Sequence, residues 1–416
     1  MRLLYSAIFP ILALGGVAEP SRAASIVVQS AATGLSADAA SYAAANGVTQ
    51  GEAERRLSLQ NASVAVTERL RAQFRDRLAG LSIEHRPDWR VVVLLKGEQA
   101  PVQLLIPAGD LKVPVELRGG AAATRTEVLA AIDRFRGQIA AAVPGSRGMG
   151  HDPRTGELVV MQRLSSADRP AAEVEAELSR LTGVPVRLRR LQASFENAGA
   201  AGGSRVEGSD GGGQRWFCTT GFIVTDGSKL GVTTAAHCPD RLTYRGPDGE
   251  ERSLRFAGGW GTAYRDVQVH TGIGSADPLF FADQARTTVR PVTGWLTRPM
   301  TRAGDWVCKR GEASGASCST VEMTDFAPPG ELCGGLCTTS WVTVRGPQCR
   351  RGDSGAPVFI GTTALGVLKG GAFLRGDACA FYYYMSVDYL PEDWRLATSS
   401  SPLGEVARST GGVRTR

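Results

Sequence analysis

The sequence has no cysteine in its first 217 residues, only four histidines, and no strongly basic block. All eight cysteines lie between Cys218 and Cys379, so disulfide bonds can form only in the C-terminal part of the chain. Disulfides in turn indicate an oxidising compartment. The 47 basic and 41 acidic residues leave a net charge of only +6, which argues against a nucleic-acid partner.

Long hydrophobic runs are also missing after the first segment of the chain. That segment has Arg2 followed by a mostly apolar run from Leu3 to Val17, and small residues follow near Ala23. The run is shorter than the roughly 20 residues of a membrane span and is typical of a signal peptide, which we assign to residues 1–23. The alternative is an amphipathic or buried helix. We therefore expect a mature protein without a membrane span, secreted to the extracellular space or to the periplasm.

Residues 24–196 are rich in Ala, Arg and Glu and predict an α+β region. Helix starts are indicated by two capping-box patterns, Thr49 with Glu52 and Thr124 with Glu127. The helices are expected near residues 50–74, 125–139 and 171–181, and the strands near residues 90–95, 103–106, 157–163 and 184–191. Helices and strands in this order favour small packed α/β layers.

Residues 197–214 contain seven glycines and almost no apolar side chain. Such a segment cannot bury enough surface to offset its ordering entropy, so we expect an exposed linker. It is either an interdomain tether or an activation cleavage site within residues 202–214, with Arg205–Val206 as the candidate bond.

Residues 206–398 predict an all-β domain in which short strands rich in Val, Phe and Thr alternate with turns. Two hairpins are expected, over residues 222–234 and 356–368. The polar tail at residues 399–416 is expected to fray.

The sequence Gly352–Gly355 reads Gly-Asp-Ser-Gly and is the sharpest chemical signal. The Ser354 hydroxyl is a weak nucleophile that needs a base, and the flanking glycines allow a tight turn. In that turn the N–H groups of Gly352 and Ser354 could stabilise an oxyanion. The alternative interpretation is a plain surface turn.

His237 is the candidate base because it directly follows a predicted strand and precedes Cys238. A metal site formed by these two residues and Cys218 is an alternative, but adjacent His-Cys is not the usual zinc spacing, so we expect no metal. The other histidines are His85 and His151, in the region without cysteines, and His270, for which we expect a structural role.

Asp266 is the candidate for the carboxylate that orients the histidine, because it stands at the edge of a predicted strand. The alternative is an ordinary residue at a strand end. Asp240, Asp248 and Asp277 are weaker candidates, since each lies in or beside a Pro or Gly turn.

The order His237, Asp266, Ser354 and the motifs around these residues resemble the chymotrypsin-fold serine proteases. The match is closer to their bacterial branch of α-lytic protease and the streptogrisins. The similar segments are residues 234–238, 307–311, 318–321, 352–355 and 364–371. The resemblance implies two six-stranded antiparallel β-barrels, a serine endopeptidase acting on proteins or peptides, and no cofactor.

The resemblance also implies three disulfides, and the remaining two cysteines are paired with each other. The expected bonds are Cys218–Cys238, Cys308–Cys318, Cys349–Cys379 and Cys333–Cys337. In this branch a basic side chain neutralises the carboxylate next to the serine, so we expect Lys309 or Arg310 to pair with Asp353.

Two residues depart from the family pattern. Ala356 replaces a glycine, and Lys369 replaces a small serine that normally supports the triad carboxylate. Lys369 begins the expected substrate-binding strand with Gly370 and Gly371. Its side chain could enter the cleft and favour acidic substrates, or it could extend outward to solvent.

The resemblance implies that residues 24–196 are a pro region that catalyses folding and then inhibits the enzyme. We expect the chain to be a zymogen and the mature enzyme to be a monomer. Two alternatives remain open at this point: a catalytically silent, protease-like binding module, and a permanent accessory domain formed by residues 24–196.

Overall fold

The computed structural model describes residues 26–399 with eight short gaps, at residues 165–168, 192–193, 198–202, 210–212, 247–248, 275, 347 and 375–378. The predicted signal peptide and all but the first residue of the predicted tail lie outside the described residues. Residues 26–197 are called the N-terminal region below, and residues 203–399 the C-terminal region.

The described part of the N-terminal region contains four helices and nine strands. The helices are α1 (Ala31–Asn46), α2 (Gln50–Gln73), α3 (Arg125–Ala142) and α4 (Ala171–Thr182). The strands are β1 (Val27–Val28), β2 (Leu78–Glu84), β3 (Arg90–Lys96), β4 (Val102–Ala108), β5 (Leu111–Ala121), β6 (Ser146–Asp152), β7 (Glu157–Arg163), β8 (Val186–Leu191) and β9 (Ser194–Asn197).

Local sequence signals explain where these helices begin and end. The Thr49 side chain caps α2 by accepting from the Glu52 N–H, and Thr124 and Glu127 form a reciprocal capping box at the start of α3. Helix α4 ends at Gly183, whose φ of +73° is a left-handed conformation that glycine adopts without strain.

The N-terminal region folds as two α/β layers. Helix α2 covers a sheet with strand order β2-β3-β5-β4 through Leu59, Val66 and Leu70. Helices α3 and α4 cover strands β6, β7 and β8, and they share one apolar core. An α+β region before an all-β region is the fold class predicted from the sequence.

The described part of the C-terminal region contains eighteen strands and three single-turn 3-10 helices. The first nine strands are β10 (Arg205–Ser209), β11 (Arg215–Thr219), β12 (Ile223–Thr225), β13 (Leu230–Thr234), β14 (Leu242–Arg245), β15 (Glu251–Ser253), β16 (Arg255–Gly261), β17 (Asp266–Thr271) and β18 (Leu279–Phe281). The others are β19 (Thr288–Pro291), β20 (Gly294–Trp295), β21 (Trp306–Gly311), β22 (Gly315–Ala327), β23 (Trp341–Arg345), β24 (Pro357–Ile360), β25 (Thr363–Phe373), β26 (Cys379–Ser386) and β27 (Arg395–Leu396).

Strands β21 to β26 form a closed six-stranded antiparallel barrel. Their order is β21-β24-β25-β26-β23-β22, and the pairing of β21 with β22 closes the ring. The preceding strands form two sheets, β11-β10-β14-β15 and β16-β17-β13-β12-β27. Only Leu254 separates β15 from β16, so the chain passes almost directly from one sheet into the other.

Part of the segment expected to be an exposed linker is instead a strand of the C-terminal region. Strand β10 pairs with β11 on one side and with β14 on the other, and Val206 is fully buried. The many glycines of this segment do not predict a strand. Val206 nevertheless supplies one buried apolar contact, and Arg205 forms an ion pair with Glu207. The proposed Arg205–Val206 cleavage bond therefore lies inside a doubly paired strand.

Three strands of the N-terminal region pair with strands of the C-terminal region. Strand β6 pairs with β22, so the sheet of the closed barrel continues into β6, β7 and β8. Strand β1 pairs with β19, and β9 pairs with β25.

Side chains of α1 and α2 also enter the core of the closed barrel. Tyr42 and Leu57 are fully buried in the same apolar cluster as Trp306. Asp38 forms a buried ion pair with Arg290 at 2.8 Å. The two regions therefore share a core like that within a single domain. No helix among the described residues has the length and apolar content needed to cross a membrane.

Candidate active site

His237 follows strand β13 in a short loop that a disulfide holds in place. Cys238, the next residue, is bonded to Cys218 on β11. The imidazole is one-fifth exposed and lies between two side chains. Its Nδ1 is 2.7 Å from Asp266 Oδ2, and its Nε2 is 2.7 Å from Ser354 Oγ.

Asp266 is the first residue of β17, which pairs with β13 and so lies beside the His237 loop. Its Oδ1 accepts a hydrogen bond from the His237 backbone N–H at 3.2 Å, and its Oδ2 faces the imidazole. The carboxylate is 2% exposed. Two contacts to one histidine fix both the ring orientation and the tautomer with the proton on Nδ1.

Lys369 on β25 makes a second contact with the same carboxylate. Its Nζ lies 3.1 Å from Asp266 Oδ2, and its side chain is 3% exposed. The side chain therefore does not extend outward to solvent, which was one of the two orientations expected above. The Asp266 carboxylate attracts the ammonium inward, where a charge without a partner would be costly.

The electrostatics of Asp266 reflect both neighbours. Burial alone raises the pKa of this carboxyl, but the charges and hydrogen bonds of His237 and Lys369 outweigh burial and lower the pKa below its ordinary value. Asp266 is therefore ionised across the neutral range.

Ser354 lies in the loop between β23 and β24, against the end of β11. Its Oγ reaches His237 Nε2 and, at 3.0 Å, the Lys369 backbone carbonyl, so its single proton has two acceptors in reach. The Thr219 N–H donates to the Ser354 carbonyl at 2.9 Å. Because Thr219 belongs to the preceding pair of sheets and β24 to the closed barrel, the site lies where these two units meet.

The glycines of this loop are required by its backbone. Gly355 has a φ of +88°, and a Cβ there would lie 2.0 Å from the Thr219 carbonyl oxygen. Gly352 has a φ of +115°. In the described part of the chain, the backbone N–H groups of Gly352 and Ser354 donate to no protein acceptor.

Asp353 is buried beside the serine and paired with Lys309. The Lys309 Nζ is 2.9 Å from Asp353 Oδ2, and both side chains are fully buried. Arg310 does not contact Asp353, contrary to the second option given above. It forms an ion pair with Glu312 at 2.7 Å instead, because alternate residues of β21 point to opposite faces.

The remaining predicted residues lie elsewhere. His270 is buried on β17 with the edge of Phe256 against it, and His85 and His151 lie in the N-terminal region. Gly370 and Gly371, expected to bind substrate, pair with Asn197 and Glu196 of β9. Among the described residues, the one cluster of three possible metal ligands contains Cys308 and Cys318, which are bonded to each other.

The structure pairs the eight cysteines as Cys218–Cys238, Cys308–Cys318, Cys333–Cys337 and Cys349–Cys379. This is the pairing that the sequence analysis expects.

Three contributors to the site were missed from the sequence. Ser314 donates its backbone N–H and its hydroxyl to Asp353, and the Trp341 ring lies 5.3 Å from Lys369 Nζ. Strand β9 was not predicted, and of its residues only Asn197 falls in the segment expected to be a linker. No local pattern in the sequence points to any of the three.

Streptogrisin-C from Streptomyces griseus is 28% identical over 166 residues, which is 37% of this chain and 32% of that protein. Streptogrisin-D from the same organism is 26% identical over 278 residues, covering 62% of this chain and 63% of that protein. The chain is thus similar in sequence to two streptogrisins. It aligns with about a third of the first protein and just under two thirds of the second.

Solved structures of bacterial proteases also align with part of the chain. Nocardiopsis protease is 22% identical, with 48% of this chain and 98% of that one covered and a TM-score of 0.38. Thermobifida fusca protease A is 24% identical, with 47% and 97% covered and a TM-score of 0.37. No protein-family model matches the chain.

Proposed function

We propose that the chain is a secreted serine endopeptidase made as a zymogen. The observation that supports this most directly is the hydrogen-bonded row Ser354–His237–Asp266, with both side-chain distances at 2.7 Å. A hydroxyl, an imidazole and a buried carboxylate in this order are the parts that acyl transfer from a peptide needs.

In the proposed reaction Ser354 Oγ attacks the carbonyl carbon of the scissile peptide while His237 Nε2 accepts its proton. The tetrahedral intermediate collapses when the same nitrogen gives the proton to the leaving amine, which leaves an acyl-serine. Water then repeats the sequence and releases the acid. Asp266 stays ionised and stabilises the imidazolium formed in each half.

The backbone N–H groups of Gly352 and Ser354 are proposed to hold the oxyanion. Each has no protein acceptor in the described part of the chain, so each is free to donate to a substrate oxygen. Such donors contribute about 3 kcal/mol each to lowering the barrier. The Lys309–Asp353 pair lies directly under this turn and supports its shape before any cleavage of the chain.

Residues 24–196 are proposed to be a pro region that folds with the enzyme and blocks it. Strand β9 pairs with Gly370 and Gly371, the residues proposed to bind substrate. Antiparallel pairing along this strand is a mode by which an extended peptide adds to a sheet edge. A segment that occupies the edge keeps other peptides away until it leaves.

The activation cut is proposed to fall between Asn197 and Ser204, rather than at Arg205–Val206. Asn197 ends β9, and Ser204 is buried with its carbonyl bonded to the Thr220 N–H. A cut between them frees β9 without disturbing β10.

The enzyme proposal is tested by labelling the secreted protein with a fluorophosphonate, beside Ser354→Ala as the matched control. We expect wild type to take up about one label per chain and the variant none. The wild type should also hydrolyse fluorescein-labelled casein. Folded wild-type protein that neither labels nor cleaves would favour the silent binding module instead.

The zymogen proposal is tested by the mass and N-terminal sequence of the same two proteins. We expect wild type to be secreted as a product beginning between residues 198 and 204, and Ser354→Ala to keep residues 24–197. A wild-type product that retains the N-terminal region while active would identify that region as a permanent accessory domain.

A further inference from the structure

Lys369 brings a buried positive charge to the Asp266 carboxylate. The Nζ is 3.1 Å from Asp266 Oδ2, the same oxygen that receives His237 Nδ1. The Trp341 ring lies 5.3 Å from Nζ. The row Ser354–His237–Asp266 therefore continues into a fourth, cationic member.

The other groups around this carboxylate carry no compensating charge. Tyr383 on β26 is held neutral, because burial and the negative charge of Asp266 both raise its pKa. The Asp266 backbone N–H donates to Met385 Sδ at 3.4 Å, which is neutral. In the described residues, Lys369 is the one lysine or arginine whose side chain forms an ion pair with Asp266.

The net charge of the row determines how easily His237 gains a proton. With neutral His237, the row of imidazole, carboxylate and ammonium is neutral, and with protonated His237 it carries one positive charge. A row without the lysine would change from one negative charge to neutral. Charges interact most strongly where water is excluded. The Lys369 ammonium repels a protonated His237, and this repulsion offsets the attraction between Asp266 and the imidazolium.

We propose that Lys369 is a positioning residue that sets the pH range of the enzyme, by keeping His237 in its neutral, proton-accepting form at lower pH than a triad without a lysine would. This inference rests on the proposed peptidase function. The side chain is 3% exposed and turned to Asp266, so it affects the protonation of the site and not the capture of substrate.

The test compares wild type with Lys369→Met and Lys369→Arg, each secreted from the full-length chain. Active sites are counted with the fluorophosphonate, and kcat/KM on fluorescein-labelled casein is measured from pH 4 to 9. We expect the methionine variant to move the acid limb up by about one pH unit, with KM unchanged within about twofold. The arginine variant should keep the wild-type limb.

A matched control is Lys229→Met, which removes an exposed lysine paired with Asp226. It should leave the acid limb in place, because exposed charges are screened. Superimposable acid limbs for wild type and Lys369→Met would overturn the proposal. An equal shift in the methionine and arginine variants would also overturn it, because packing and not charge would then be the cause.

Lys369→Gln covers the case in which Lys369→Met fails to fold, because it also removes the charge but keeps a polar group against Asp266. We expect its acid limb to shift upward as in Lys369→Met. An acid limb of Lys369→Gln that superimposes on that of wild type would contradict the proposal. Absence of labelling in folded wild type would instead contradict the proposed function, so the two failures are distinguishable.

Discussion

Two buried lysine–aspartate pairs lie beside Ser354, and they are alike in chemistry but not in surroundings. Lys309 and Asp353 are 2.9 Å apart and fully buried. Lys369 and Asp266 are 3.1 Å apart and nearly so. Each carboxylate is therefore neutralised by an ammonium where water is excluded.

The first pair is surrounded by groups that cannot change their charge. Asp353 accepts from the backbone N–H groups of Ala313, Ser314 and Arg350 at 3.0 to 3.1 Å. The Cys308–Cys318 disulfide joins β21 to β22, the two strands on either side of Ala313 and Ser314. Every oxygen of the carboxylate is satisfied in one fixed geometry, so this pair supports the shape of the loop.

The second pair touches a histidine that is one-fifth exposed and reaches the serine. A group that gains and loses a proton during the proposed reaction is therefore in direct contact with the pair. The comparison teaches that the third partner decides the role of a buried ion pair. We expect one pair to affect stability and the other, as proposed, to affect the protonation of the site.

The sharpest test of this difference is Asp266→Asn, for which we expect the largest effect. An amide cannot hold His237 in the tautomer that accepts the serine proton, so kcat/KM should fall about 10⁴-fold. The rate on fluorescein-labelled casein, normalised to folded protein, measures this. Asp240→Asn, at an exposed aspartate near the same loop, is the control and should keep wild-type rates. A loss under tenfold in Asp266→Asn would contradict the assignment.

The structural pair should respond through stability instead. Lys309→Met leaves the Asp353 charge buried without a partner, and we expect the free energy of unfolding to fall by about 3–5 kcal/mol. Urea unfolding in the Ser354→Ala background measures this without self-digestion. The double variant Lys309→Met with Asp353→Asn removes both charges and should recover part of the loss. Unchanged stability in Lys309→Met would remove the distinction between the two pairs.

The smallest effect is expected from Arg310→Ala. This residue bonds to Glu312 and to the carbonyls of Asp283 and Gln284, and not to Asp353. Its loss should cost about 1–2 kcal/mol and leave the fluorophosphonate labelling rate unchanged. A loss as large as that of Lys309→Met would mean that Arg310 also supports the Asp353 turn.

Much of the fold could be predicted because local signals and packing agree. The capping boxes at Thr49 and Thr124 and the hairpin of β12 and β13 lie where the sequence predicts them. Strand β5 was missed, since it contains a proline and two glycines and depends on pairing with β3 and β4. Strand β10 was missed because Val206 is its one apolar residue among glycine and polar residues, and the strand depends on pairing with β11 and β14.

The site was predictable where a residue type is chemically necessary, as for Ser354 with its glycines. The direction in which a side chain points was harder to predict from the sequence. The inward turn of Lys369 follows from the placement of Asp266 on β17, roughly 100 residues earlier, and no local pattern encodes that distance. The choice of Lys309 over Arg310 depends on which residues of β21 face the loop.

The pairing of β6 with β22 has a consequence for the product of the proposed activation cut. Residues 325–327 of β22 pair with β6, so departure of the N-terminal region would leave their outward N–H and C=O groups without strand partners. A bare sheet edge is a template on which a second polypeptide can stack. Here the exposed step is only three residues long and begins with the negatively charged Asp325, two features that discourage fibril-like growth from one mature molecule to the next.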